Sequence, residues 1–146
     1  AFHLPPARVR VEGESEPPST PAPLREARVI VCAGRGLGDE AGLKLAGELA
    51  AALGGQLAGT RGALDEGWIR AERVIGMGGV SVRPRLYVAC GVSGAIQHVL
   101  GIEKADFVLA INDDPEAEIF QYADAGIVGD AKEVAAALLD AWRELT

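Results

Sequence analysis

From residue 27 to the C-terminus, short apolar runs alternate with helix-like segments, and this alternation limits the fold more than any other feature of the chain. Fully apolar strands that alternate with helices are typical of a parallel sheet with helices on both faces. The sequence therefore predicts a three-layer α/β/α domain, doubly wound around a mostly parallel sheet. About six strands are expected, at residues 27–33, 56–60, 74–75, 86–90, 107–111 and 126–128.

Helix signals occupy most of the intervals between these strands. Asp114 is expected to cap a helix, because Pro115 would then stand at the favoured first helical position. Asp130 and Glu133 have the spacing of a capping box before the terminal helix. Helices are thus expected from residue 39 or 40 to about 53, from about 94 to 100, from 115 onward, and after 130. The inward face of the terminal helix is expected to carry Val134, Leu138, Leu139, Trp142 and Leu145.

The prolines divide the chain into two parts. Six of the eight prolines precede residue 26. Because proline removes a backbone donor and disfavours helix in the residue before it, residues 1–26 are predicted to form an extended linker or tail. Residues 27–146 are predicted to form one domain. A linker in this place suggests that the domain is the second half of a longer protein whose N-terminal domain is missing here.

Composition excludes several classes of function. The 14 basic and 21 acidic residues give a net charge of −7, and such a surface repels nucleic-acid phosphates and anionic membranes. Apolar runs are too short for direct membrane insertion, and two histidines cannot build a multi-histidine metal site. We expect reduced, buried thiols at Cys32 and Cys90. A cytoplasmic location is expected, or the mitochondrial matrix for a eukaryotic source.

Glycine-rich loops after the predicted strands indicate where a ligand would bind. In sheets of this class, ligands bind beyond the carboxyl ends of the strands. Glycine lets the backbone approach a phosphate closely, and Arg35 and Arg61 add fixed positive charge to the first two loops. The sequence therefore predicts a site for a large anionic nucleotide, built from residues 34–39, 60–62, 76–79, 91–98, 112–114 and 129–130.

Three familiar site motifs do not explain these loops. The run GRGLGD departs from the dinucleotide fingerprint at Asp39, where the third glycine would stand, and no P-loop sequence occurs. The run GVSGA departs from the nucleophile elbow because Ala95 replaces its last glycine. His98 is the only downstream histidine, so a partner from another loop cannot be assembled and a serine hydrolase is excluded.

Four strand–loop units resemble a known family when they are taken together. They are RVIVCAGRGLG, AGTRGALDEGW, PRLYVACGVSGAIQH and FVLAINDDPEAEIFQYADAGIVGD. From about Arg28 to the end, the chain resembles the C-terminal FAD-binding domain of the electron-transfer flavoprotein alpha subunit. The resemblance implies a DHS-like NAD/FAD-binding fold and an electron carrier with FAD as cofactor, rather than an enzyme.

The resemblance also implies partners. Alpha and beta subunits of the family form a heterodimer. It accepts electrons from acyl-CoA and other flavin dehydrogenases, as in fatty acid beta-oxidation, and passes them to a membrane quinone oxidoreductase or another acceptor.

The family's FAD contacts can be carried over position by position. The resemblance implies that Arg35 lies near the diphosphate or adenosine, that Arg61 lies against the isoalloxazine ring, and that His98 reaches the flavin pyrimidine edge. The SGAIQH run resembles a diphosphate-binding helix start, and the resemblance implies that Asn112, Asp130 and Ala131 lie at the adenosine end. The implied cofactor-binding residues are Arg35, Thr60, Arg61, Ile75, Gly76, Met77, Gly78, Ser93, Gly94, Ala95, Ile96, Gln97, His98, Asn112, Asp130 and Ala131.

One loop departs from the family pattern. Where the family commonly has glutamine and threonine, this chain has Met77 and Gly78. The threonine hydroxyl that usually hydrogen-bonds flavin N5 is therefore missing, although a backbone N–H could still reach that atom. We expect this difference to change the tuning of the redox potential more than the fold.

Two other readings of the sequence stay open. Sheets of this kind also occur in modules that bind NAD(P) or an adenine nucleotide without a redox role. The chain could also be a structural half that no longer binds FAD when a beta subunit is absent. A flavin absorption spectrum would separate FAD binding from the nucleotide module, and cofactor recovery on adding a beta subunit would favour the structural half over that module.

Overall fold

The computed structural model describes residues 23–146. Five strands form one parallel sheet, in the order β2-β1-β3-β4-β5. From β1 the chain moves outward to the edge strand β2, then crosses back to β3 on the other side of β1. The direction of winding therefore changes between β1 and β3, which is where sheets of this class bind ligands. The strands are β1 (Val29–Ala33), β2 (Gln56–Gly59), β3 (Leu86–Cys90), β4 (Val108–Asn112) and β5 (Ala125–Val128).

Four α-helices connect or follow the strands within residues 23–146. The two long ones, α1 and α4, begin where a side-chain carboxylate accepts a hydrogen bond from the first turn: Asp39 from Gly42 N and Asp130 from Glu133 N, each at 2.9 Å. The helices are α1 (Glu40–Ala52), α2 (Arg61–Asp65), α3 (Ile96–Val99) and α4 (Ala131–Leu145). Short 3₁₀ turns lie at Leu24–Glu26, Arg35–Leu37, Ala71–Arg73 and Glu118–Tyr122.

Residues alternate along the strands between two buried layers. One face of the sheet, with Val31 and Cys90, packs against α1 and α4. The other face, with Cys32 and Tyr87, packs against residues of the connecting segments, including Leu24, Ile75, Val82, Ile102 and Ile119. The predicted α/β/α class is therefore confirmed. Both cysteines are buried free thiols, as expected, and they lie in opposite layers.

In the part of the chain that the structure describes, the sheet has five strands rather than about six. The segment at Val74 and Ile75 forms only isolated bridges, to Gly59 and to Val80. Ile75 donates to Gly59 O at 3.0 Å, but the chain reverses at once through Gly76 and Gly78, whose φ angles are +126° and +81°. A two-residue β-branched run followed by such a reversal is too short to extend the sheet.

Two helix predictions need correction. No α-helix starts at Pro115, because the Asp114 carboxylate accepts from Glu116 N at 2.9 Å and closes a tight turn instead. A 3₁₀ segment follows at Glu118–Tyr122. The terminal helix buries Ala131, Ala135 and Leu139, whereas Trp142 and Leu145, which were expected to face inward, are 38% and 81% exposed. Apolar periodicity in α4 thus continues beyond the part of the helix that packs.

The predicted linker at residues 1–26 lies almost wholly outside the described residues. Of its last four residues, Leu24 is buried with the core of the domain. Close packing therefore begins at least three residues before residue 27, and the boundary between linker and domain stays a prediction.

Candidate functional site

A cleft of about 840 Å³ opens at the carboxyl ends of the strands, over the neighbours β1 and β3, whose following connections run to opposite sides of the sheet order. Loops that follow β1, β2, β3 and β4 contribute to it. Its lining comprises Gly34, Arg35, Gly36, Thr60, Arg61, Gly62, Asp65, Val74, Ile75, Met77, Gly91, Val92, Ser93, Gly94, Ala95, Gln97, His98, Asn112, Asp114, Glu116, Ala117 and Glu118. These loops meet because parallel strands end at the same edge of the sheet.

Bare backbone forms part of this cleft where the β1 and β3 loops cross. Gly34 N donates to Cys90 O and Gly36 N donates to Gly91 O, both at 2.9 Å. A Cβ added to Gly34 would stand 2.3 Å from Gly91 O, and one added to Gly36 would stand 2.7 Å from Gly91 Cα. Only glycine therefore permits this close crossing, which leaves main chain accessible to a ligand.

A run of unpaired backbone donors follows β3. Within residues 23–146, the N–H groups of residues 93–97 donate to no protein group. The run is held in place from below: Ile119 N donates to Ser93 O at 2.9 Å, and a Cβ on Gly94, whose φ is +92°, would stand 2.3 Å from Ile119 N. Five successive N–H groups at a cleft are suited to an anion with several oxygens.

Asn112 fixes the neighbouring loops to each other. Its Nδ2 donates to Val92 O at 2.9 Å, and its Oδ1 accepts from Asp114 N at 2.9 Å. The side chain therefore joins the loop after β3 to the loop after β4. A ligand contact from Asn112 would use the second hydrogen of its amide group or the second lone pair of Oδ1.

Two arginines of the cleft lining lie in the loops after β1 and β2. Arg61 is the first residue of α2, and Thr60 caps that helix by accepting from Ala63 N at 3.2 Å. The capping bond leaves the Thr60 hydroxyl hydrogen free to donate. The Arg35 guanidinium lies against Gly62: a Cβ built on Gly62 would be 3.4 Å from Arg35 Cζ.

Carboxylates of α2 and the following residue balance these cations. Asp65 lies 3.8 Å from both Arg35 Nη2 and Arg61 Nε, and Glu66 lies 3.3 Å from Arg35 Nε. Asp65 lines the cleft, although the sequence analysis did not select it. Its spacing of four residues from Arg61 on a helix is the signal that could have identified it.

His98 lines the cleft but is 6% exposed, and both of its ring nitrogens are bound inside the protein. Nδ1 lies 3.1 Å from Ile75 O, and Nε2 is hydrogen-bonded to the Tyr87 hydroxyl. A carbonyl only accepts, so Nδ1 carries the proton and Nε2 accepts from Tyr87. Burial lowers the pKa of the His98 imidazole to about 4. A ligand contact from a ring nitrogen would require one of these bonds to break.

The divergent loop places Met77 at the cleft with 63% of its surface exposed. Met77 N donates to Gln97 O at 2.7 Å, so that N–H is not available to a ligand. Among the described residues, the N–H of Gly78 has no partner, but Gly78 is not part of the lining. The φ of +81° at Gly78 also disfavours a β-branched threonine there.

The structure brings eleven of the sixteen predicted site residues into the lining. Gly76 and Gly78 are not among the lining residues, and neither are Ile96, Asp130 and Ala131. Asp130 caps α4, and Ala131 is buried beneath it. Three acidic lining residues, Asp65, Glu116 and Glu118, were not predicted from the sequence. Whether any lining residue binds a cofactor stays a prediction.

Two structural features are absent from residues 23–146. No helix there combines the length and apolar character that a membrane crossing requires. That same part of the chain holds no group of three or more His, Cys, Asp or Glu side chains placed to bind a metal ion.

The sequence of this chain matches one family model and several known proteins. A family model described as "Electron transfer flavoprotein FAD-binding domain" matches residues 23–103. Protein FixB of Clostridium saccharobutylicum is 47% identical over 122 residues, which cover 84% of this chain and 36% of that protein. The electron transfer flavoprotein subunits alpha of Thermoanaerobacterium thermosaccharolyticum and Bacillus subtilis are each 45% identical over 122 residues. These matches cover 84% of this chain and 37% and 38% of the two relatives, so the chain spans little more than a third of their length.

Proposed function

The chain belongs to the electron-transfer flavoprotein alpha family, and from that premise we propose that residues 27–146 bind FAD in the cleft at the carboxyl ends of the strands. Bound flavin supplies the one- and two-electron redox chemistry of such a carrier. The chain's own residues bind and orient the cofactor and adjust the charge around it, without making or breaking bonds of a substrate.

The observation that carries this proposal is that backbone N–H groups without a protein partner and fixed cations line the same cleft. The donors of residues 93–97 suit a diphosphate, and Arg35 and Arg61 add positive charge. Gly34 and Gly91 let the β1 and β3 loops, which both line the cleft, cross in direct main-chain contact. A volume of about 840 Å³ suits a large ligand. The residues present therefore fit FAD.

The roles proposed for individual residues follow the cleft. Arg35 lies near the diphosphate or adenosine, and Arg61 near the isoalloxazine ring. The loop of residues 93–97 holds the diphosphate through its main chain. Asp130 and Ala131 were expected at the adenosine end, and their place at the start of α4 favours a structural role instead.

Partners belong to the same proposal. A beta subunit would complete an alpha/beta heterodimer, as the subunit names of the relatives suggest. Flavin dehydrogenases such as acyl-CoA dehydrogenases would donate electrons, and a quinone oxidoreductase or another acceptor would receive them. We propose a cytoplasmic location in a bacterium, or the mitochondrial matrix in a eukaryote.

The test is to mix the purified chain with FAD, remove free cofactor by gel filtration and record the absorption spectrum. We expect a flavin spectrum on the protein fraction, and acid release followed by mass measurement should return FAD. Arg35→Ala should weaken binding about tenfold, the usual scale for losing a charge-assisted hydrogen bond. Arg143→Ala, which removes an exposed arginine of α4, is the matched control and should leave binding unchanged.

Other outcomes identify the competing functions. Release of NAD(P) or an adenine nucleotide instead of flavin would overturn FAD binding and favour the nucleotide module. FAD retention only after a beta subunit is added would indicate that this piece is a structural half. Retention of no nucleotide under either condition would contradict the proposal.

A further inference from the structure

Asp65 is the one carboxylate of the cleft lining that contacts both of its arginines. Its Oδ2 lies 3.8 Å from Arg35 Nη2, and its Oδ1 lies 3.8 Å from Arg61 Nε. Among the described residues, the only other acidic partner of either arginine is Glu66, which contacts Arg35 alone and is not part of the lining. Asp65 therefore links the cation of the β1 loop to the cation of the β2 loop.

The charges in this group balance in the structure. Two guanidinium groups face two carboxylates, so little positive charge remains for a ligand. A diphosphate entering the cleft would meet Asp65 as a like charge beside the cations that attract it. Its binding must therefore compete with the contacts of Asp65.

These contacts are weak enough to be exchanged. The side chains of Arg35, Arg61 and Asp65 are 61%, 73% and 58% exposed, so solvent and salt screen their attraction. The distances of 3.8 Å also exceed hydrogen-bond length. A phosphate oxygen in direct contact with a guanidinium would form the stronger, charge-assisted bond.

We propose that Asp65 competes with the anion of the ligand for Arg35 and Arg61: it holds the two arginines together when no ligand is bound and opposes phosphate binding in the cleft. This inference rests on the proposed function, because it takes a phosphate-bearing cofactor as the ligand. Asp65 acts through the two arginines and is thus a positioning residue. It sets how tightly the cleft holds the cofactor and how positive the surroundings of that cofactor are.

The experiment compares Asp65→Asn with the wild-type chain for binding of FAD, ADP and riboflavin. Asparagine keeps the shape of the side chain and removes its charge. Asp140→Asn is the matched control, because it makes the same change in net charge at an exposed site of α4 away from the cleft. We expect Asp65→Asn to bind FAD and ADP about three- to tenfold more tightly at low salt, and less than about twofold more tightly at 1 M salt.

Riboflavin carries no phosphate, so its affinity should not change in Asp65→Asn. Asp65→Ser also removes the charge and should shift FAD affinity in the same direction. A gain in affinity separates this role from a structural one, since damage to the cleft would weaken binding.

The outcomes distinguish failure of the inference about Asp65 from failure of the proposed FAD binding. The inference is wrong, and the proposed function stands, if the wild-type chain binds FAD but the FAD affinity of Asp65→Asn is equal to or lower than that of Asp140→Asn. An equal gain for riboflavin would also overturn it. If the wild-type chain binds neither FAD nor ADP, with or without a beta subunit, both fall.

Discussion

His98 illustrates how a single residue can differ between its expected and its observed surroundings. The family resemblance implies a side chain that reaches the cofactor. In the structure its ring is buried against Tyr87 and Cys32, with Cys32 Sγ 3.9 Å from Nε2. Bonds to Ile75 O and Tyr87 satisfy both nitrogens of the neutral ring. The sequence predicted that His98 lies at the cleft, but only three-dimensional packing determines which of its atoms are free to bind a ligand.

Burial of His98 predicts a pH-dependent stability. The pKa falls from 6.5 to about 4 on folding, so the unfolded chain takes up a proton that the folded chain resists. The contribution is fully present above pH 6.5 and is lost as the pH falls towards 4. The free energy of unfolding should drop by on the order of 1 kcal/mol per pH unit across this window.

Urea denaturation of the wild-type chain and of His98→Asn, at pH 7 and pH 5, measures this dependence. The variant should be less stable at pH 7 and should lose less stability on acidification. Carboxylates titrate in both proteins, so the difference between the two slopes reports His98. Equal slopes would show that the folded imidazole protonates freely.

At the scale of elements, caps and turns decide where helices begin. The capping spacing of Asp130 and Glu133 predicted the start of α4, and the hydrogen bond at 2.9 Å confirms it. The same reasoning was wrong at Pro115, because the Asp114 carboxylate can close a turn as readily as it can cap a helix. A capping residue signals a change of direction, and the packing of the next residues decides whether a helix follows.

Removal of the Asp130 side chain tests whether this residue caps α4 only or also binds a ligand. We expect Asp130→Ala to lower the free energy of unfolding by about 1 kcal/mol, the usual cost of losing an N-cap. FAD affinity should be unchanged, since Asp130 is not part of the cleft lining. Asp39→Ala, at the start of α1, is the matched cap control. Weaker FAD binding by Asp130→Ala alone would support the role at the adenosine end instead.

At the scale of the whole molecule, the cleft depends on strand order. Arg35 and Arg61 come from loops 26 positions apart in the sequence, yet they share the carboxylate of Asp65 because β1 and β2 are neighbours in the sheet. The donors of residues 93–97 join them because β3 lies on the other side of β1. The strand order of the whole fold thus brings positive charge and backbone donors together at one cleft.

The charge of Arg61 should also affect the reduction of bound flavin. A fixed cation near the ring favours the negative charge that an added electron brings. We expect Arg61→Ala to lower the first-electron potential by roughly 60 mV, a tenfold change in the equilibrium constant. Reductive titration of the heterodimer reconstituted with a beta subunit measures this potential. Arg143→Ala should leave it unchanged, and an unchanged potential in Arg61→Ala would remove that residue from the redox site.

The sequence was enough to predict the α/β class, the loops after β1, β2, β3 and β4 that line the cleft, and the starts of both long helices. Each of these follows from local rules: strand runs are apolar, glycines end them, and carboxylates bind the N–H groups of a first turn. Tertiary structure alone decided that Val74 and Ile75 lie outside the sheet and that Trp142 is partly exposed. It also decided that His98 is enclosed and that Asp65 joins two arginines. These outcomes depend on which distant residues pack together, and periodicity along the chain carries no information about such neighbours.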